Sequence, residues 1–221
     1  MGTSERRHVC GAPRLALAIA AIVGIIAMML VAVRPAATAP GLAPGQPAPG
    51  FTGTDTAGRP VSLADYRSSI VVLEWTNHDC PFVRRHYDSG NMQALQKQAT
   101  QNGVVWLTII SSAPGGQGYV TGEEADALTR SRNASPTAVI RDSSGEIGHA
   151  YGAKTTPHMF VIDPAGILVY IGAIDDQPRN FGADPARANN YVRAALTAVE
   201  SGQPVANPVT QPYGCSVKYA D

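Results

Sequence analysis

The sequence predicts an α/β domain with a central mixed β-sheet flanked by helices, and two observations carry this prediction. First, short apolar runs such as "SIVVLEW" (69–75) and "GVVWLTII" (103–110) alternate with segments of helical pattern, as expected of strands covered by helices. Second, two apolar runs joined by the turn "PAG" (164–166) come just before the last helical segment, which indicates a closing hairpin. A chain of 221 residues is long enough for one such domain with appendages.

The N-terminus carries a candidate membrane anchor. Three arginines lie in residues 1–14, and the nineteen residues at 15–33 are apolar and uncharged. As a helix this run measures about 28 Å, close to the hydrocarbon thickness of a bilayer. The basic flank predicts a cytoplasmic N-terminal tail and a folded domain on the periplasmic or extracellular side. An uncleaved signal anchor is the favoured form, and secretion after cleavage near residues 37–39 is the alternative.

The domain organisation follows from composition. Residues 34–50 contain five prolines and no periodic apolar pattern, so we expect an extended linker. The globular domain then covers residues 51–204, and residues 205–221 form a C-terminal tail. The formal net charge is zero, which gives the chain no electrostatic bias toward nucleic acid, and no nucleic-acid partner is expected.

Local patterns predict the elements of the domain in chain order. Pro81 suits the first turn of a helix that runs to about Gln101. Thr121 and Glu124 form a capping box that starts a helix ending near Arg132. The other patterns predict a hairpin at 51–63, a helical turn at 64–67, strands at 69–75, 103–110, 137–142, 157–163 and 167–173, a short helix at 145–152, and a last helix at 184–201.

The candidate nucleophile is Cys80, which lies between a predicted buried strand and a predicted helix in "EWTNHDCPFVRRHY" (74–87). A thiol reacts as the thiolate, and a helix N-terminus stabilises an anion by about 0.3–1 kcal/mol. Arg84, His78 and Thr76 are further candidates for stabilising this thiolate. The alternative is a structural cysteine, a small apolar side chain buried in the core.

Four segments in chain order resemble the thioredoxin-fold redoxins, which include peroxiredoxin-like, AhpC/TSA-type and TlpA-like proteins, and in particular a branch with a single active-site cysteine. The segments are "WTNHDCPFVRRHY", "YGAKTTPHMFVID", "GILVYIGAIDD" and "PYGCSVKY". The resemblance implies a thioredoxin-like fold over about residues 45–201 and a reactive Cys80. It also implies a cis-proline loop at Thr156-Pro157 that faces Cys80, binds substrate and leaves the Thr156 backbone free to pair with an extended partner.

Two departures from the family pattern concern the chemistry. Val83 stands where a CxxC motif has its second cysteine, so no disulfide forms within the motif. Asn77 stands where typical peroxiredoxins have threonine or serine, and Thr156-Pro157-His158 stand where they have arginine, so the peroxidase signature is incomplete. We therefore expect a thiol oxidoreductase that performs either thiol–disulfide exchange or peroxide reduction with antioxidant activity.

The second exported cysteine is Cys215, because Cys10 precedes the predicted anchor and would stay in the cytoplasm. Three roles are open to Cys215: a resolving cysteine that attacks oxidised Cys80 from a flexible tail, a partner of Cys80 in a permanent disulfide, or an unpaired thiol on a docked tail. Glu74, six residues before Cys80, has the spacing of the buried acidic residue of thioredoxins and could act as a proton acceptor. A solvated or ion-paired carboxylate fits the same pattern.

The expected partners are a protein disulfide or a peroxide as substrate, a thiol reductant, and the membrane through residues 15–33. No cofactor is expected. A metal site is not expected either, because Arg84 stands where copper-binding thioredoxin-fold proteins have a second cysteine. The alternative from another functional class is a non-catalytic module that uses the same groove to bind a protein partner or a metal.

Overall fold

The fold is described by a computed structural model that covers residues 41–178 and 185–220. The strands are β1 (Thr52–Asp55), β2 (Pro60–Ser62), β3 (Val71–Trp75), β4 (Val105–Ile110), β5 (Ala138–Arg141), β6 (Thr155–Thr156), β7 (His158–Ile162), β8 (Leu168–Gly172) and β9 (Cys215–Ser216). The helices are α1 (Pro81–Asp88), α2 (Asn91–Gln101), α3 (Gly122–Ser131), α4 (Glu146–Tyr151) and α5 (Tyr191–Glu200).

Within the described residues, seven strands form one sheet in the order β2-β1-β5-β4-β3-β7-β8. The central strands β3, β4 and β5 run parallel, whereas β1, β7 and β8 are antiparallel to their neighbours. The expected α/β class with a mixed, thioredoxin-like sheet is therefore confirmed. The parallel strands end at the same edge of the sheet, and β3 leads there into Cys80.

Strand β3 is buried along its whole length and separates the two main parts of the core. Val72 belongs to the apolar cluster on one face, together with Cys80. Leu73 and Trp75 belong to the cluster on the other face. Successive side chains of a strand point to opposite faces, so Glu74 lies on the same face as Val72 and Cys80.

Two predicted helices have different bounds in the structure. The helix expected from Pro81 to Gln101 is interrupted at Gly90, whose φ of 76° belongs to the left-handed region that glycine adopts without strain. The last helix begins at Tyr191 rather than at residue 184, because the Asn190 side chain caps it by accepting a hydrogen bond from the Arg193 backbone. A short 3-10 turn at 185–187 precedes it.

The segment predicted as a linker is only partly described. Its residues 41–50 are hydrogen-bonded to the chain at the start of β8 and just before it: Gly45 N donates to Leu168 O at 2.8 Å, and Ala48 N donates to Gly166 O at 2.9 Å. The predicted cytoplasmic tail (1–14) and anchor (15–33) lie outside the described residues. In the ranges that are described, no helix is long and apolar enough to cross a membrane.

The C-terminal tail is docked along the domain, which agrees with one of the arrangements left open for Cys215 and not with the flexible tail of the resolving role. We call residues 208–220 the strap. At one end of the strap, Thr210 N donates to Ile171 O at 3.0 Å; near the other end, Tyr219 donates to Ala153 O at 2.8 Å. Between these points the strap forms β9, which pairs with β6 in antiparallel register. No pattern in the sequence had predicted either of these two-residue strands.

Candidate active site at Cys80 and Cys215

A tight turn carries the chain from β3 to Cys80. Asn77 organises the turn: its side-chain oxygen accepts from Asp79 N at 2.9 Å, and its backbone oxygen accepts from Cys80 N at 3.1 Å. The Asn77 amide also donates to Gln117 O at 3.1 Å, which ties the turn to the loop after β4. Asn77 therefore shapes the backbone at the position where typical peroxiredoxins have a hydroxyl residue.

Cys80 is the N-cap residue of α1, with Pro81 in the first helical turn. Its side chain is fully buried. The Cys80 thiol donates to Thr156 O at 3.1 Å, and Sγ accepts from Cys215 N at 3.4 Å. Burial alone would raise the pKa of Cys80, but hydrogen bonds from the Cys215 thiol and from the Val83 and Cys215 amides lower this pKa below its ordinary value. The environment of the thiol thus favours the thiolate.

The peptide bond between Thr156 and Pro157 is cis, as the resemblance implied. The expectation of a free Thr156 backbone is wrong, however, because Cys215 lies opposite Thr156 in the pairing of β6 with β9. Gly214 makes this approach feasible. Its φ is 141°, and a Cβ atom there would lie 2.0 Å from Thr156 O. The strap thus occupies the loop that was expected to bind an extended substrate.

Cys215 is half-buried beside Cys80, and both thiols are free. A permanent disulfide, one of the three roles open to Cys215, is not present in this structure. Burial and the hydrogen bond to Cys80 raise the pKa of Cys215 to about 12. The pKa values of the two thiols are therefore shifted in opposite directions. Cys80 tends toward the thiolate, while Cys215 keeps its proton and donates a hydrogen bond to Cys80.

Glu74 is fully buried and accepts hydrogen bonds from four side chains. The donors, at 2.8–3.1 Å, are Tyr87, Gln96, Trp106 and Thr108. Burial raises the pKa of Glu74, and the four hydrogen bonds oppose the rise. Glu74 is thus a buried acidic group on the same side of the sheet as Cys80. The sequence had also left open a solvated carboxylate, and the burial excludes it. The hydrogen-bond partners of Glu74 among the described residues do not include Cys80.

A cavity of about 40 Å³ adjoins the partners of Glu74. Tyr87 and Thr108 line it, together with Thr76 and His78 from the turn before Cys80. Such a volume holds only a few water molecules. Most of its remaining lining residues are apolar, among them Ile110, Leu128 and Val139, so the cavity is a largely apolar space beside the active-site turn.

The three residues expected to stabilise the Cys80 thiolate lie around the turn without hydrogen-bonding to Sγ. Arg84 is exposed on α1. His78 Nε2 lies 3.4 Å from Asp79 Oδ1. Thr76 Oγ1 is buried and has no hydrogen-bond partner among the described residues. In the structure the hydrogen bonds to Sγ come instead from Cys215 and backbone amides.

A buried polar chain that the sequence did not predict joins the strap to α1. His86 is fully buried and its Nδ1 accepts from Asn91 Nδ2 at 3.0 Å, which leaves Nε2 to face the Tyr213 hydroxyl at 3.1 Å. Tyr213 in turn donates a short hydrogen bond to Asp175 Oδ1. Burial lowers the pKa of His86 to about 4. These residues are 38 to 127 positions from Tyr213, so no local motif could reveal the chain.

No group of three or more histidine, cysteine, aspartate or glutamate side chains is arranged to hold a metal ion in the part of the chain that the structure describes. The groups that the structure brings together around Cys80 Sγ are the Cys215 thiol and the backbone of Cys215 and Thr156.

Two solved structures are similar to the chain over most of its length. A hypothetical protein from Sinorhizobium meliloti has 25% sequence identity and a TM-score of 0.69, and the match covers 82% of this chain and 97% of that one. An uncharacterized conserved protein from Geobacillus kaustophilus has 26% identity and a TM-score of 0.67 over 80% of this chain and 92% of that one. No curated protein matches the chain significantly.

The AhpC/TSA family profile matches residues 44–171. This range includes Cys80 and the cis-proline loop, ends within β8 and leaves out the strap with Cys215. Because the matched range is more than half of the 221 residues, the protein belongs to the AhpC/TSA family.

Proposed function

We propose that the protein is a thiol-dependent oxidoreductase that cycles between a dithiol and an intrachain Cys80–Cys215 disulfide. The observation that carries this proposal is the contact of Cys215 N with Cys80 Sγ at 3.4 Å, together with the opposite pKa shifts of the two thiols. A thiolate beside a protonated thiol is suited to react first and be resolved second.

The oxidising substrate is a small peroxide. The Cys80 thiolate attacks the terminal hydroxyl oxygen of ROOH, the O–O bond breaks, and RO⁻ leaves and takes up a proton from water as ROH. Cys80 becomes a sulfenic acid. The Cys215 sulfur then attacks the sulfenic sulfur; the S–O bond breaks, and the hydroxyl leaves as water with the Cys215 proton. The product is the Cys80–Cys215 disulfide.

Two features favour a small oxidant over a protein disulfide. Cys80 is fully buried, and the strap occupies the Thr156 backbone. A folded protein partner would have to displace the strap before its disulfide reached Cys80. A peroxide needs much less space. Thiol–disulfide exchange with a protein is the second candidate, supported by the half-buried position of Cys215, the more accessible of the two thiols.

The reductant is an external thiol that attacks the Cys215 sulfur of the disulfide. Cys215 is half-buried, whereas Cys80 is fully buried, so Cys215 is the accessible sulfur. Attack there also releases the Cys80 thiolate, and a thiol of lower pKa is the better leaving group. The mixed disulfide on Cys215 is then broken by a second reductant thiol, which restores the dithiol.

Export to an oxidising compartment forms part of the proposal. The basic flank and the apolar run at 15–33 support membrane anchoring with the catalytic domain outside the cytoplasm. In such a compartment a dithiol needs a dedicated reductant to return to the reduced form. Fractionation of the expressing cells, with protease added to intact cells or spheroplasts, tests this part. A domain that stays protected in spheroplasts and is digested only after lysis would contradict it.

The catalytic step is tested with the purified protein and one equivalent of hydrogen peroxide, followed by sulfenic-acid trapping. We expect Cys215→Ser to accumulate a trapped sulfenate at Cys80, whereas the unsubstituted protein passes to the disulfide. Cys10→Ser is the matched control and should behave like the unsubstituted protein. If Cys80 gives neither sulfenate nor disulfide, the catalytic proposal fails and the binding-module alternative gains support.

A further inference from the structure

The strap is anchored immediately before Cys215 by one side chain, Tyr213. The Tyr213 hydroxyl contacts His86 Nε2 at 3.1 Å and donates to Asp175 Oδ1. Its ring packs against Phe82 of α1, with ring centroids 5.9 Å apart. Tyr213 thus connects the strap to α1, the helix whose N-terminus holds Cys80.

The hydrogen bonds of this anchor have a consistent direction. Asn91 donates to His86 Nδ1, so neutral His86 carries its proton on Nε2 and donates to the Tyr213 oxygen. Tyr213 is left to donate its own proton to Asp175. Asp175 is 1% exposed, and its Oδ2 has no hydrogen-bond partner among the described residues. A phenol that donates to a buried carboxylate makes a strong, charge-assisted bond.

The Tyr213 anchor and the Cys215 thiol are close together in the chain. Only Gly214 stands between Tyr213 and Cys215. Gly214 lies directly against Thr156 O, where a Cβ atom would be 2.0 Å away. A shift of Tyr213 must therefore move Cys215 relative to Cys80.

We propose that Tyr213 is the positioning residue of Cys215: its hydroxyl, held between His86 and Asp175, keeps the second thiol within reach of Cys80. The inference rests on the proposed redox cycle. Tyr213 does not touch the reacting atoms in this account. It acts by raising the effective concentration of Cys215 at Cys80.

The test is the disulfide equilibrium of Tyr213→Phe in glutathione redox buffers, measured by peptide mapping after acid quenching. Phenylalanine retains the ring and removes the hydroxyl. We expect the effective concentration of the Cys215 thiol at Cys80 to fall about tenfold or more, because the loss of a hydrogen bond to a charged group has an effect of this size. After peroxide addition, the Cys80 sulfenate should persist longer by a comparable factor.

The matched control is Tyr66→Phe, in the 3-10 turn before β3, which should leave the equilibrium within about twofold of the unsubstituted protein. A second variant, Asp175→Asn, keeps an acceptor but removes its charge. It should also lower the effective concentration of Cys215 at Cys80. In the double variant the effective concentration should fall by less than the two single effects combined. If Tyr213→Phe does not fold, the disulfide equilibrium of Asp175→Asn is the test.

The outcomes separate this inference from the proposed function. If the unsubstituted protein forms the disulfide and Tyr213→Phe has the same equilibrium, the inference is overturned and the proposed function stands. A lower denaturation midpoint with an unchanged equilibrium would likewise assign Tyr213 a structural role only and overturn the inference. If the unsubstituted protein forms no Cys80–Cys215 disulfide in any buffer, both fail.

Discussion

The backbone amide of Cys215 donates to Cys80 Sγ at 3.4 Å, although 135 positions separate the two residues. The contact exists because β9 pairs with β6, which places Cys215 opposite Thr156 next to the cis bond. The protein therefore places its own C-terminal segment where the fold was expected to receive an extended partner.

Removing the Cys215 thiol should raise the pKa of Cys80, since the hydrogen bond from that thiol lowers it. In Cys215→Ala we expect the pH profile of the Cys80 alkylation rate to shift to higher pH. Cys215→Ser retains a hydroxyl donor and should shift less. An unchanged profile in Cys215→Ala would show that the thiol does not stabilise the Cys80 thiolate.

Gly214→Ala should loosen the strap. The new Cβ would lie 2.0 Å from Thr156 O at a φ of 141°, and such strain costs about 1–3 kcal/mol. We expect alkylation of buried Cys80 to accelerate by about tenfold or more, because the strap opens more often. Gly50→Ala is the matched control, since its Cβ meets nothing within 4 Å. Equal rates in the two variants would refute the prediction.

Removing the Glu74 carboxylate should destabilise the domain. Glu74→Ala leaves four buried donors without their acceptor, and each unsatisfied donor costs about 1–3 kcal/mol. We expect the free energy of unfolding in urea to fall by at least about 3 kcal/mol. Glu74→Gln, which keeps an acceptor oxygen, should lose less. Glu200→Ala at the exposed end of α5 serves as the surface control; a similar loss there would contradict the assignment.

Two buried histidines should make the fold sensitive to acid. The pKa values of His86 and His158 are lowered from 6.5 to about 4, mainly by burial. Between pH 6.5 and 4 the unfolded chain therefore binds more protons than the folded chain. The stabilisation is complete above pH 6.5 and is lost as the pH falls toward 4.

From pH 7 to pH 5 we expect roughly 1–2 kcal/mol lower unfolding free energy per histidine, measured in urea. The groups that face His86 are Asn91, Tyr213, Asp175 and Arg85. His158 faces Lys154 and Phe160. His158→Gln should show a smaller fall over the same range. Stability that is constant or rises over this range would contradict the assigned shifts.

Part of the fold and site was predictable because it is encoded locally. The apolar runs gave the strands of the main sheet, Thr121 and Glu124 form the predicted capping box, and the resemblance around Thr156-Pro157 implied the cis bond. The helix break at Gly90 also had a local signal, since glycine follows a polar residue there, although the periodic pattern continues through it.

The docked strap was not predictable in this way. The sequence "PYGCSVKY" has no helical or strand period, and β9 has only two residues. Its position depends on contacts with residues far along the chain, including Tyr213 with His86 across 127 positions and Cys215 with Cys80. Tertiary packing, rather than local preference, determines where Cys215 lies.

If Cys80 and Cys215 are a redox pair, they must interconvert between two thiols and one disulfide. Non-reducing peptide mapping of the purified protein, before and after one equivalent of hydrogen peroxide, tests this interconversion most directly. We expect two free thiols before treatment and a Cys80–Cys215 disulfide after it, reversed by added dithiol. A Cys80 that stays unmodified, or one that oxidises while Cys215 remains a free thiol, would show that the two cysteines are not a redox pair.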